Sequence, residues 1–106
     1  MTQSRETLPQ GLYHILMWTY KSAVPAEERA RLEAELEELP RKVPSLRAMQ
    51  WGRITGGRNQ SFSHSFVMLF DDKHGLEEYQ THPDHLHFSG PFREACEMQV
   101  VVDFEC

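Results

Sequence analysis

Cysteines and long hydrophobic runs are both scarce in this 106-residue sequence. Its two cysteines, Cys96 and Cys106, are too few for the disulfide framework of a small secreted domain, which fits a reducing cytoplasm. The longest strongly apolar run, Leu12 to Trp18, contains His14 and is far shorter than the ~20 residues of a membrane-spanning helix. The polar first residues lack the basic and apolar segments of a signal peptide. We therefore expect a cytoplasmic protein without a membrane span.

Positive charge is scarce as well. The 16 acidic and 11 basic side chains give a formal net charge of −5. A surface of this sign repels phosphate backbones and anionic lipids, which argues against nucleic-acid and membrane partners. Phosphate-binding loops, dinucleotide fingerprints, zinc fingers and serine-elbow motifs are missing, so no cofactor is predicted. Histidine, with 6 copies, is the unusually abundant residue, and we expect the function to depend on it.

Hydrophobic patterning predicts one α+β domain. Four segments have the composition and spacing of strands: Tyr13–Tyr20, Leu46–Ile54, Ser61–Phe70 and Val100–Glu105. Three segments have the spacing or the capping residues of helices: 26–39, 73–81 and 91–97. With 73–81 and 91–97 taken as one helical unit interrupted at Pro83, the order is β-α-β-β-α-β, a ferredoxin-like arrangement with a four-stranded antiparallel sheet. Residues 1–11 are predicted to form a flexible arm and residues 12–106 the single domain.

We expect helices to cover one face of this sheet and to leave the other exposed in a single chain. The apolar patch assigned to the exposed face consists of Leu16, Trp18, Phe66 and Met68. The patch is too large to remain in water, so we predict a homodimer that packs sheet against sheet and leaves space for a small-molecule ligand. The first and third strands are expected to be parallel neighbours. That orientation would bring His14 and His64 to the same end of the face.

The densest group of reactive side chains lies in residues 79–88, and three interpretations of it stay open. His82 and His85 could bind a metal together with Asp84, although Pro83 breaks a single helical register and no remote ligand is evident. Tyr79 and His85 could form a general acid–base pair across the proline turn. The histidines could also be solvent-facing residues of a helix and a turn.

Several short stretches together resemble the stress-responsive A/B barrel (Dabb) family. They are His14-Ile15-Leu16, Trp51-Gly52, Gly57-Arg58-Asn59 before Phe62-Ser63-His64, Tyr79 with His82-Pro83-x-His85, and Val101-Val102-Asp103-Phe104. The most specific part is the His-Pro-x-His segment with its upstream tyrosine. The resemblance covers residues 12–105 and implies a dimeric α+β barrel made of two ferredoxin-like halves.

The resemblance also implies a site. Members with a known reaction include a plant polyketide cyclase and a plant hydroxynitrile lyase, and the cyclase motif assigns acid–base roles to Tyr79 and His85. It places His14, His64 and Phe88 around the cavity, to which the sheet-face argument adds Leu16, Trp18 and Phe66. Two functions follow as alternatives: a cofactor-independent cyclase, isomerase or lyase acting on an aromatic or carbonyl compound, or a stress-response protein that holds a ligand without converting it.

Overall fold

The computed structural model describes residues 6–58 and 61–106. Its strands are β1 (Leu12–Tyr20), β2 (Ala48–Arg53), β3 (His64–Phe70) and β4 (Cys96–Glu105). Its helices are α1 (Ala26–Lys42), α2 (Lys73–Thr81) and α3 (Pro83–Ala95). The four strands form one antiparallel sheet in the order β2-β3-β1-β4. The predicted ferredoxin-like α+β architecture is confirmed.

The relative direction of β1 and β3 differs from the sequence prediction. They are antiparallel neighbours, with Trp18 opposite His64 and His14 opposite Met68. The two histidines therefore lie at opposite ends of the sheet, four register positions apart along β1. The expectation that they share one end was wrong because β3 follows β2 through a reversal of the chain and so runs opposite to β1.

The assignment of the two sheet faces is also reversed. Leu16, Trp18, Phe66 and Met68 are at most 7% exposed and form the core beneath the helices. Alternation along the strands places the opposite set of side chains on the uncovered face. That set, the open face, consists of Ile15, Met17 and Val67, which are half-buried, and Val100, Val102 and Phe104, which are exposed. A large apolar face is indeed left uncovered by the described chain, but it is the other one.

The last helix begins earlier than predicted. α3 starts at Pro83, which occupies the first helical position where a missing N–H has no cost, and continues through Pro91. Pro83 was interpreted as an interruption, and the predicted helix over 91–97 is wrong for that reason. Cys96, placed on a helix by the sequence pattern, is instead the first residue of β4. α1 likewise extends past Pro40 to Lys42.

The described part of the predicted N-terminal arm joins the end of the sheet. Gly11 and Cys106 exchange two backbone hydrogen bonds of 3.3 and 3.0 Å. Gly11 has a φ of +151°, and a Cβ there would lie 2.4 Å from the carbonyl oxygen of Phe70, so glycine is required. Asn59, which belongs to one of the stretches that carry the family resemblance, lies outside the described residues. Within residues 6–58 and 61–106, none of the helices is long and apolar enough to cross a membrane.

Candidate functional site

A cavity of about 450 Å³ opens between α3 and β4 on the helix-covered side of the sheet. Its polar lining includes His14, Tyr79, His85, Arg93, Gln99 and Asp103. Its apolar lining includes Leu16, Phe66, Phe88 and Phe92. Of the eight residues that the sequence assigned to the site, six line this space, and His64 and Trp18 do not.

The junction of α2 and α3 explains why the His-Pro-x-His spacing positions His85. His82 ends α2 and is also the N-cap of α3, where its Nδ1 accepts a hydrogen bond from the backbone N–H of Asp84 at 3.1 Å. Pro83 then begins the new helix with a suitable φ. This sharp change of direction turns His85 back over the end of α2. The two ring centroids of Tyr79 and His85 are 4.3 Å apart.

Hydrogen bonding fixes the tautomer of His85. Its Nδ1 lies 3.0 Å from the carbonyl oxygen of Gln80, which can only accept a hydrogen bond, so Nδ1 carries the proton. The lone pair of the neutral ring therefore resides on Nε2. Burial lowers the pKa of His85, and nearby His14, Arg93 and His82 act in the same direction against the bond to Gln80. The imidazole is consequently neutral at pH 7, the state that a general base requires.

Tyr79 presents a hydrogen-bond donor to the cavity, whereas His85 presents an acceptor. Its side chain is almost fully buried, and burial raises its pKa, so the phenol stays protonated at any physiological pH. Its hydroxyl has no hydrogen-bond partner among the residues that the structure describes, although the ring contacts Phe70 at 5.3 Å. A protonated hydroxyl without a protein partner, placed in a cavity, can donate to a bound ligand.

His14 is held at the same end of the cavity by a partner on β4. Its Nδ1–H donates to Oδ1 of Asp103 across the β1–β4 pair at 2.6 Å. The ring lies 6.4 Å from that of Tyr79 in an edge-on orientation. Asp103 belongs to the quoted Val-Val-Asp-Phe stretch but was assigned no role. Its position in an otherwise apolar strand was the available signal, whereas its pairing with His14 depends on a register that the sequence does not reveal.

His64 and Trp18 do not line this cavity. The His64 ring is stacked on Trp18 at 5.2 Å and lies 6.2 Å from Trp51, beneath α1 at the opposite end of the sheet. Its Nδ1 is 2.7 Å from Oγ of Ser63, and its Nε2 is 3.9 Å from Oε2 of Glu33. Burial lowers the pKa of His64. These contacts are those of a core histidine.

The arrangement suits acid–base chemistry by side chains. A base with a free Nε2 and a phenolic donor converge on one space, with a carboxylate-bound histidine beside them. Across residues 6–58 and 61–106, no three histidine, cysteine, aspartate or glutamate side chains are grouped so as to hold a metal ion. His82, one of the residues considered as a ligand, uses its Nδ1 to cap α3.

Comparison with known proteins finds relatives of this size. A stress-response A/B barrel domain-containing protein of Arabidopsis thaliana, At5g22580, is 27% identical over 89% of this chain and 85% of its own length. Olivetolic acid cyclase of Cannabis sativa is 18% identical over 86% of this chain and 92% of its own.

Solved structures share the fold. The hydroxynitrile lyase of Passiflora edulis superposes with a TM-score of 0.86 at 24% identity, covering 92% of this chain and 95% of that one. A dimeric ferredoxin-like protein of unknown function from Thermobifida fusca superposes with a TM-score of 0.79 at 22% identity over the whole of both chains. The family profile of the stress responsive A/B barrel domain matches residues 12–106, and the chain belongs to this family.

Proposed function

We propose that this protein binds a small carbonyl compound in the cavity and catalyses proton transfer next to the carbonyl, without a cofactor. The observation that carries the proposal is the Tyr79–His85 pair, with ring centroids 4.3 Å apart at one end of the cavity. His85 offers an unprotonated Nε2, and Tyr79 offers an unpaired O–H. The pair supplies both of the groups that enolisation needs.

The step begins with the neutral imidazole. Nε2 of His85 removes a proton from the carbon beside the carbonyl. The electron pair of that C–H bond becomes the C=C bond of an enolate, and the π pair of the carbonyl moves onto its oxygen. The Tyr79 hydroxyl donates a hydrogen bond to this developing oxyanion. The imidazolium then returns its proton to another carbon of the enolate system, which gives isomerisation, or to a leaving group, which gives elimination. In a cyclisation the enolate carbon attacks a second carbonyl of the same ligand, and the proton goes to the alkoxide oxygen that this forms. One acid–base group of this kind contributes about 10²–10⁴-fold in rate.

The names of two distant relatives support this class of reaction. One is a cyclase that is similar in sequence, and the other is a lyase that shares this fold. The apolar lining from Leu16, Phe66 and Phe88 favours an aromatic or aliphatic body for the ligand.

We also propose that the protein acts as a homodimer in the cytoplasm. The open face presents Val100, Val102 and Phe104 to solvent, an area of apolar surface that a second copy would bury. Solved neighbours of this fold are described as dimeric, which supports the same assembly.

A non-catalytic ligand-binding protein is the second candidate. The Arabidopsis protein that is 27% identical, closer in sequence than the cyclase at 18%, is named for a stress response and not for a reaction. In this alternative the same cavity holds a ligand, and His85 and Tyr79 only orient it.

Solvent exchange at the methyl group of acetophenone tests the catalytic proposal. Its α-protons are exchanged for deuterium in D₂O only if a base removes them, and proton NMR follows the loss of signal. We expect the wild type to accelerate exchange above buffer, and His85→Ala and Tyr79→Phe to lose most of that acceleration. His87→Ala, an exposed histidine two positions along α3, is the matched control and should retain it. Binding without accelerated exchange would instead favour the ligand-binding alternative.

A further inference from the structure

The cavity has a cationic end as well as an acid–base end. His85 and Arg93 both lie on α3 and both line the cavity. They are eight residues apart, which is about 12 Å along a helix at 1.5 Å per residue. The residues between them that line the space, Phe88 and Phe92 among them, are largely apolar. The lining therefore runs along about two turns of α3, with His85 at one end of this trough and Arg93 at the other.

The charge balance within the trough singles out Arg93. Asp103, also in the lining, is bonded to His14 at the acid–base end. Arg93 forms no ion pair with any carboxylate in the described ranges 6–58 and 61–106, although the chain carries five more acidic than basic side chains. An unpaired guanidinium beside an apolar trough is a ready partner for an anionic group of the ligand.

Gln99 adds a neutral donor at the same end. It occupies the position on β4 opposite Trp18, four residue pairs away from the Asp103–His14 position, and it lines the trough with Arg93. Its Nε2–H₂ has one contact, with the sulfur of Cys96 at 3.4 Å. Sulfur is a weak acceptor, so the amide retains donor capacity for a ligand.

We propose that the natural ligand is a carbonyl compound that also bears a carboxylate, which Arg93 binds with help from Gln99. This inference rests on the proposed function, because it assigns the carbonyl to the His85–Tyr79 end. A planar monoanion matches one guanidinium fork and one amide. A dianionic phosphate would face a single cation, the carboxylate of Asp103 and a protein of net charge −5. The structure therefore favours a carboxylate over a phosphate.

A pair of isosteric probes tests this assignment. 4-Acetylbenzoate and 4-acetylbenzamide share the ketone, the ring and the shape, and they differ in the charge of the group remote from the ketone. NMR titration of each probe gives the two dissociation constants. We expect the wild type to bind the benzoate about 10-fold or more tightly than the amide, as one charged hydrogen-bonding pair provides. Arg93→Gln should abolish this preference, and Arg93→Lys should retain part of it.

The control removes a cation elsewhere. Arg41→Gln eliminates a surface arginine that is paired with Glu38 on α1, outside the trough, and should leave the preference unchanged. Equal affinity for the two probes, a preference that survives Arg93→Gln, or binding of neither probe would overturn the inference. Exchange of neutral acetophenone by the wild type reports on the proposed function separately, since this probe carries no anionic group. A wild type that exchanges acetophenone but binds the two probes with equal affinity would therefore refute the carboxylate assignment alone.

Discussion

The carboxylate of Asp103 accepts the Nδ1–H of His14 at 2.6 Å, across two adjacent antiparallel strands. This bond fixes the His14 ring in one orientation and leaves its Nε2 unengaged by Asp103. Because His14 lies edge-on to Tyr79, the pair also sets one wall of the space in which Tyr79 and His85 meet. A residue on the last strand thus shapes a site whose reactive groups belong to α2 and α3.

Replacing this carboxylate should slow the reaction without unfolding the protein. Asp103→Asn retains the shape but turns a charge-assisted hydrogen bond into a neutral one, and we expect acetophenone exchange to fall about 10-fold. The imidazole ¹⁵N shifts of His14 should change as the tautomer loses its anchor. Glu105→Gln, a nearby exposed acid on the same strand, is the control. A wild-type rate with unchanged His14 shifts in Asp103→Asn would contradict this role.

The pH dependence of exchange should report His85 in its neutral form. Burial lowers the pKa of this imidazole from its ordinary value of 6.5, so the unprotonated base is already dominant below that pH. The exchange rate should rise with pH through a midpoint below 6.5 and be level at pH 7. Tyr79, whose pKa is raised, should add no decline at neutral pH. A midpoint above 6.5 in a rate profile measured by NMR would disagree with the buried geometry.

Acid should destabilise the fold partly through His64. Its folded-state pKa is lowered by burial, so the unfolded chain binds more protons between that pKa and 6.5. The free energy of unfolding should therefore decrease as pH falls below 6.5, by up to about 1.4 kcal/mol per pH unit for each such histidine. His64→Gln should flatten this dependence in urea titrations and leave probe binding unchanged, because His64 lies outside the cavity. His87→Gln changes an exposed histidine and is the control. If it flattened the pH dependence of the free energy of unfolding as much as His64→Gln, this explanation would be wrong.

The open face should control assembly. Val102→Glu puts a charge in the middle of that apolar surface, and burying an unpaired carboxylate in an interface is costly. We expect light scattering to give twice the chain mass of 12.4 kDa for the wild type and a shift toward the monomer for this variant. Leu8→Glu changes an apolar residue that is 75% exposed outside the sheet and should leave the mass unchanged. A wild type that stays monomeric would refute the homodimer.

Most of the fold could be predicted because its signals are local. The alternation in Phe66, Met68 and Phe70 predicts β3, and the four-strand order follows from the succession of elements. The sequence does not indicate which face of the sheet the helices cover, because both faces of β1 are apolar. The direction of β3 beside β1, and hence the separation of His14 from His64, follows from the same succession, because the crossover through α1 makes β2 parallel to β1 and β3 runs antiparallel to β2.

The residues of the candidate site also fall into two groups, those that the local sequence indicates and those that only the assembled fold brings to the cavity. Tyr79 and His85 could be selected as candidate site residues because they are close in sequence. The residues between them, His82 and Pro83, are typical of a helix start and indicate a change of chain direction. Asp103 and Arg93 could not, because their places beside the cavity depend on the β1–β4 register and on a helix that continues through Pro91. Each looks like an ordinary surface charge until the sheet and the helix are assembled.

The ratio of acetophenone exchange rates between the wild type and His85→Ala tests the central claim most directly. Both rates are corrected for buffer exchange and measured at pH 7 with each protein shown to be folded. A base positioned beside Tyr79 predicts a ratio of about 10²–10⁴, with Tyr79→Phe between the two proteins. A ratio near one, with acetophenone bound equally by both, would show that His85 is not the base and would contradict the catalytic account.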